Sequence, residues 1–162
     1  MATPRAAVDP DLGVEPARRR RRTWDPVLVA VIAAGGILGA EARYALELAA
    51  PATPGAWPWA TWWINVIGSF LLGALMVVVT DLTSPHRLVR PFLGVGVLGG
   101  FTTFSTAMVE VDGLLRDGRP LLAAAYLLGA ALTALLAALA GAWAVRGLAL
   151  ARHRARARRS GR

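Results

Sequence analysis

Apolar residues fall into four long blocks separated by short polar stretches. The blocks run 26–48, 58–82, 88–115 and 120–145, each near or above the roughly 20 residues a helix needs to cross a bilayer. Hydrocarbon offers the backbone no hydrogen-bond partner, so blocks of this length predict α-helices rather than open strands. The pattern therefore predicts an all-α membrane protein with four transmembrane helices per subunit, all within a single unit at 24–147. A basic tail at 1–23, broken by Pro4, Pro10, Gly13 and Pro16, is expected to be disordered. An Arg-rich tail covers 148–162. The first block is too long for the apolar core of a signal peptide, roughly 7 to 15 residues, and it carries Glu41, Arg43 and Glu47. It is expected to stay as the first helix.

One stretch interrupts this simple picture. Inside the third block stands Gly99-Gly100-Phe101-Thr102-Thr103-Phe104-Ser105-Thr106. Paired glycines followed by hydroxyl residues predict a third helix broken mid-membrane, and backbone freed at that depth must be satisfied by protein, water or an ion. Freed carbonyls suit a cation, whereas hydroxyls, amide N–H groups and the electropositive edges of Phe rings suit a small anion. Phe101 and Phe104, three apart, share a helical face, a spacing that plain packing would also produce.

Composition agrees with the bilayer. The chain is 56% hydrophobic and 17% charged, with a formal charge of +8. Much of that charge lies in Arg18–Arg22 and in the seven arginines from Arg146 to Arg162. Beside four apolar spans these runs read as topology signals rather than as a nucleic-acid surface. Both tails and the second loop, with Arg87 and Arg90, fall on one side, which the bias of arginine assigns to the cytoplasm. Trp57, Trp59, Trp62 and Trp63 at the opposite end fit an interfacial aromatic belt. The absence of cysteine excludes disulfides and thiolate metal sites.

Polar residues within the spans are the functional candidates. Thr61, Asn65 and Ser69 recur every four residues and share one face of the second helix. An Asn in hydrocarbon needs partners, so that face meets another helix, as glue, or a wet cavity. Arg43 has Glu47 four positions on as a partner; an anchor at the membrane edge and a role in attracting anions both remain open. His86 and His153 fall in a loop and a tail, and no His or carboxylate cluster has ligand spacing, which argues against an enzyme.

The strings GGFTTFST (Gly99–Thr106), TWWINVIGSFLLG (Thr61–Gly73) and GAEARY (Gly39–Tyr44) together resemble the Fluc, or CrcB-type, fluoride channels. The resemblance covers all four spans. It implies an antiparallel dimer of four-helix subunits with two narrow fluoride pathways and a structural, non-transported Na⁺ held by backbone carbonyls of the third-helix break. Those carbonyls would belong to Gly99 and Thr102. Asn65 would be the pore amide, Phe104 a pore phenylalanine, Tyr126 the fourth-helix pore tyrosine and Arg43 the vestibule arginine, with Thr61, Ser105 and Thr106 as further pathway hydroxyls.

The chain departs from the family pattern in two places. Ala107 stands where a second pore phenylalanine is expected, and the hydroxyl track that would follow Tyr126 reads Ala130 and Ala134, with Thr133 one position off. Fluoride is strongly hydrated, and alanine offers neither a donor nor a ring edge. Three functions follow as expectations: a fluoride exporter working passively, a pore-poor subunit completed by an oppositely oriented paralogue, and a small proton-coupled drug exporter. The last needs an unpaired membrane carboxylate, for which Glu41 is the early-helix candidate, with Arg43 beside it arguing against that use. Membrane lipid and fluoride are the expected partners, with no nucleic acid.

The arginine bias makes a prediction of its own. A chain that inserts both ways needs balanced basic residues, so a C-terminal tag should be found on the cytoplasmic side alone. Comparable amounts of tag on both sides, with efflux from this chain expressed alone, would restore a self-sufficient antiparallel homodimer.

Overall fold

The computed structural model describes residues 25–83 and 85–160, with side chains to Arg152. The tail expected to be disordered lies outside the described residues. Four helical segments are long and apolar enough to cross a membrane: Pro26–Ala49, Trp59–Leu82, Pro91–Arg116 and Pro120–Arg152.

Helix α1 (Pro26–Ala49) starts at Asp25, whose carboxylate accepts the N–H groups of Val27 and Leu28, and Pro26 occupies the first turn where no N–H is needed. Helix α2 (Trp59–Val77) widens into a π turn at Val78–Leu82. Helix α3 comprises Pro91–Leu98, wound as a π-helix, and the α turn Gly99–Phe101. Helical hydrogen bonding then stops: Thr102 is extended, with φ −78° and ψ 153°. It resumes in α4 (Ser105–Arg116). Helix α5 runs over Pro120–Ser160, 41 residues.

The length of α5 differs from the block read in the sequence, which ended at Val145. Beyond Gly147 the chain reads Leu, Ala and Arg with no proline before the terminus, and these are among the strongest helix formers. Nothing chemical stops the helix where the apolar run ends.

Helix α2 packs along α5, α1 along α3, and α4 against α5. Glycine permits these close approaches. A Cβ on Gly73 would strike the Ala138 carbonyl and one on Gly141 the Phe70 carbonyl, so α2 and α5 meet backbone to backbone. Gly39 faces the Val97 carbonyl in the same way, joining α1 to α3. Such small-residue seams let helices approach where lipid removes the hydrophobic drive for association.

Polar contacts tie the ends. Arg87 meets Asp25 at 3.0 Å and Arg146 meets Asp81 at 3.0 Å, bringing the start of α1, the 78–90 segment and the end of the α5 span to one end of the bundle. At the other end Gly55, with φ +68°, turns against the Arg119 guanidinium. Trp57, Trp59, Trp62 and Trp63 stack there in a chain of tilted and edge-on rings with centroids 4.6–5.9 Å apart.

Gly36 and Gly39 lie one turn apart on α1, yet a Cβ on Gly36 meets nothing within 4 Å. Gly39→Val should therefore lower stability by about 1–3 kcal/mol through overpacking, while Gly36→Ala stays within about 0.5 kcal/mol of the parent. Thermal unfolding in detergent checks this, and equal effects of the two changes would contradict the packing described.

Candidate functional site

The site is assembled around the gap between α3 and α4. Asn65, on α2, reaches it with both ends of its amide: Nδ2 donates to the Thr103 carbonyl and Oδ1 accepts the Thr103 N–H, each at 2.8 Å. Those bonds replace helical ones. In an unbroken helix the Thr103 N–H would serve the Gly99 carbonyl, four residues back. The Thr106 N–H, which would serve the Thr102 carbonyl, instead donates to Thr103 Oγ1 at 3.1 Å. The carbonyls of Gly99 and Thr102 thus lose their helical donors, and among the described residues no other backbone bond across the gap reaches them. A pair of bare carbonyl oxygens is a donor set suited to a hard cation such as Na⁺.

Thr103 is the hub of a hydroxyl cluster. Its side chain lies 3.2 Å from Ser105 Oγ and donates to Thr106 Oγ1 at 3.0 Å. Thr102 bonds back to the Leu98 carbonyl, so its hydroxyl faces its own helix. Phe104, 73% exposed, stands at the start of α4.

A cavity of about 230 Å³ opens beside this gap. Of the residues singled out in the sequence it brings together Asn65, Ser69, Thr102, Phe104 and Tyr126, joined by Thr103. Ala107, Ala130 and Ala134 line it as well, so the three positions where alanine stands for an expected ring or hydroxyl all face this cavity. Thr133 does not compensate: its hydroxyl donates to the Gly129 carbonyl, one turn back on its own helix. Ser105 and Thr106 act through Thr103 rather than through the wall.

Thr61 lies apart from that cavity, in a second cluster. Glu110 on α4 receives the Thr61 hydroxyl at 2.6 Å on one carboxylate oxygen and the Tyr126 hydroxyl at 2.7 Å on the other. Thr61 is 1% and Tyr126 0% exposed, and the Trp57 ring stands edge-on against Tyr126 at 5.3 Å. Tyr126 lines the first cavity, while Glu110 lines a second one formed with the 52–58 segment at the bundle end. The Thr61–Glu110–Tyr126 bridge therefore separates the two.

Arg43 is on the other flank of the gap. Its Nε donates to the Gly100 carbonyl at 3.3 Å and its NH1 pairs with Glu47 at 3.1 Å. The guanidinium is thus anchored by one backbone and one carboxylate oxygen.

Sequence reasoning passed over Glu110 and the hub role of Thr103. The signal was present: Thr103, Thr106 and Glu110 are three and four residues apart and share a helical face, and an acidic residue inside an apolar span marks function by default. Attention went instead to Glu41, which lies exposed on α1.

Comparison with known proteins adds an independent line. A family model described as CrcB-like protein, Camphor Resistance (CrcB), matches residues 30–142. The chain is 48% identical over 126 residues to Fluoride-specific ion channel FluC 2 of Streptomyces avermitilis, covering 76% of this chain and 80% of that one. It is 50% identical over 131 residues to Fluoride-specific ion channel FluC 1 of Streptomyces coelicolor, covering 81% and 84%. It is 46% identical over 103 residues to Fluoride-specific ion channel FluC of Chlorobaculum tepidum, covering 62% of this chain and 80% of the relative. The second and third spans, the gap with its Asn65 clamp, and most of the first and fourth spans fall within the matched segment, and the chain belongs to the CrcB family.

Proposed function

We propose that this chain is a fluoride-selective channel of the cell membrane that lets cytoplasmic fluoride leave passively. The observation that carries this is the cavity beside the gap, where the Asn65 amide, the Thr103 hydroxyl and the Phe104 ring face one space. Two further features favour an anion there. Helix α4 begins at Ser105 with its positive dipole end beside the cavity, and Phe104 brings a ring whose edge is electropositive. Relatives of near 50% identity are named as fluoride-specific channels.

The donors explain how a strongly hydrated ion could shed water. Asn65 keeps one amide hydrogen beyond the one given to Thr103, and the hydroxyls of Ser105 and Thr106 rotate about Thr103. Tyr126 and Thr61 already donate to Glu110, so an ion reaching them must take those hydrogens from the carboxylate. Movement past the bridge is then an exchange of acceptors rather than a loss of bonds.

The functional unit is an antiparallel dimer, with the Gly99 and Thr102 carbonyls of this chain and the matching carbonyls of an oppositely oriented subunit, a second copy or a paralogue, around one structural Na⁺. Gly99 is exposed on the surface of the chain, as a site shared with a second copy requires. When bound, the ion supplies fixed positive charge at the gap and is not transported. A heterodimer with an oppositely oriented paralogue is favoured by one observation, the three alanines in the cavity wall. The partner would then carry the better-furnished pathway. Both termini lie in the cytoplasm when the chain inserts as its arginines direct.

Fluoride efflux from liposomes containing the purified chain tests the proposal; efflux no faster than from empty liposomes, with and without a paralogue, would refute it. Asn65→Leu should abolish flux and leave the dimer assembled, because both partners of the amide belong to its own chain. Residual dimers that still conduct would make Asn65 a structural tie alone.

For the cation, Gly99→Val should abolish flux while Thr102→Ala is mild, since the proposed ligand is a backbone oxygen and the Thr102 hydroxyl is turned to Leu98. Complete tolerance of both changes in the same assay would count against the Na⁺ site.

A further inference from the structure

The end of the bundle away from the tryptophans holds a cavity of about 500 Å³ between α2 and α5. Leu82, Val145, Leu148 and Ala149 form its apolar wall, and Thr83 and Arg152 supply its polar part. The Thr83 hydroxyl donates to the Val78 carbonyl, so of the two it is Arg152 that offers N–H donors outward. Beside the wall, Arg146 makes two contacts with Asp81 at 3.0 and 3.1 Å, which pin α5 to α2 and neutralise the carboxylate nearest the cavity. An acidic group that would repel an anion is thereby masked.

Depth decides what can enter. Measured from Pro120 at 1.5 Å per residue, Val145 stands about 38 Å along the helix, several ångströms short of the roughly 40–45 Å that a bilayer spans with its headgroups. Arg152 is seven residues beyond Val145, about 48 Å from Pro120, which reaches the outer edge of the headgroup layer. With Pro120 in the opposite headgroup layer, Val145 lies near the acyl boundary, Leu148 and Ala149 in the interface above it and Arg152 at the level of the phosphate. Further along the same helix follow Arg154, Arg156, Arg158 and Arg159, a run of charge that attracts anionic lipid.

We infer that this cavity is a binding site for one anionic phospholipid per chain, its acyl chain against Leu82, Val145 and Leu148 and its phosphate on Arg152. The occupant is a membrane lipid rather than free phosphate, because five of the seven lining residues, Val78 among them, are apolar and a lone phosphate would leave them wet. Its lining shares no residue with the cavity beside the gap.

Native mass spectrometry of the full-length protein in detergent tests this, with dipalmitoyl phosphatidylglycerol, dipalmitoyl phosphatidylcholine and inorganic phosphate as probes. One phosphatidylglycerol per chain should be retained in preference to phosphatidylcholine. Arg152→Gln should lower that retention about fivefold, the factor matching the gain of roughly 1 kcal/mol for one arginine at an anionic surface. Ala149→Leu, which fills the wall, should weaken both lipids alike, and a chain ending at His153 should keep the bound lipid. Equal retention of the two lipids, displacement by inorganic phosphate in excess, or a preference that survives Arg152→Gln but disappears with the truncated chain would each overturn the site; the last would assign the lipid to the terminal arginines instead.

Discussion

The double hydrogen bond between Asn65 and the Thr103 backbone is the constraint on which the rest of the site depends. A side-chain amide matches a peptide group in both donor and acceptor, so Asn65 can replace helical partners without leaving a polar group bare in an apolar bundle. It does so for one residue only. The helix around that residue must then surrender its own bonds, and the Gly99 and Thr102 carbonyls are the ones left over. The gap is thus a consequence of cross-linking α2 to the third span, with Thr103 Oγ1 closing the first turn of α4 behind it.

That cross-link needs short distances, and glycine supplies them. A Cβ on Gly68 would strike the Thr102 side chain, and one on Gly100 would come within 2.5 Å of the Gly36 carbonyl. The same tightness lets Arg43 reach the Gly100 carbonyl from α1. The arginine therefore does two things at once. It satisfies a carbonyl at the gap, and through Glu47 it keeps its net charge low enough to be held inside an apolar span.

Much of this was legible in the chain. Four spans followed from block length alone, because lipid leaves no alternative to helices of that size. The face carrying Thr61, Asn65 and Ser69 was readable from a period of four, and the Gly-Gly-Phe-Thr-Thr run marked the gap. The partners were not readable. Spacing says that Asn65 and Ser69 share a face, but not that the amide meets the Thr103 backbone, nor that Thr61, four residues earlier, belongs to a different cluster around Glu110. Such pairings are set by how α2, α4 and α5 lie against each other, which one-dimensional periodicity does not contain. The end of α5 escaped for the opposite reason: hydropathy changes at Arg146, but helix propensity does not.

Glu110 gives the bundle its most consequential asymmetry. A carboxylate accepts and does not donate, so it competes with an anion for the same hydroxyls and repels it as well. Two hydroxyls held by one carboxylate are therefore oriented at rest but unavailable until the carboxylate yields them. An ion that binds hydrogens more strongly than a carboxylate does, as a small hard anion can, gains by that exchange; a larger, softer anion with weaker hydrogen bonds does not. On the proposed pathway selectivity then has two sources of different kind. The cavity beside Phe104 discriminates through the few donors and the ring edge that replace water, and the alanines in its wall weaken that contribution. The Thr61–Glu110–Tyr126 bridge discriminates by competition. With Ala107, Ala130 and Ala134 unable to contribute donors to the first, the second carries a larger share of the discrimination in this chain than it would in one whose cavity had a second ring and a full hydroxyl track.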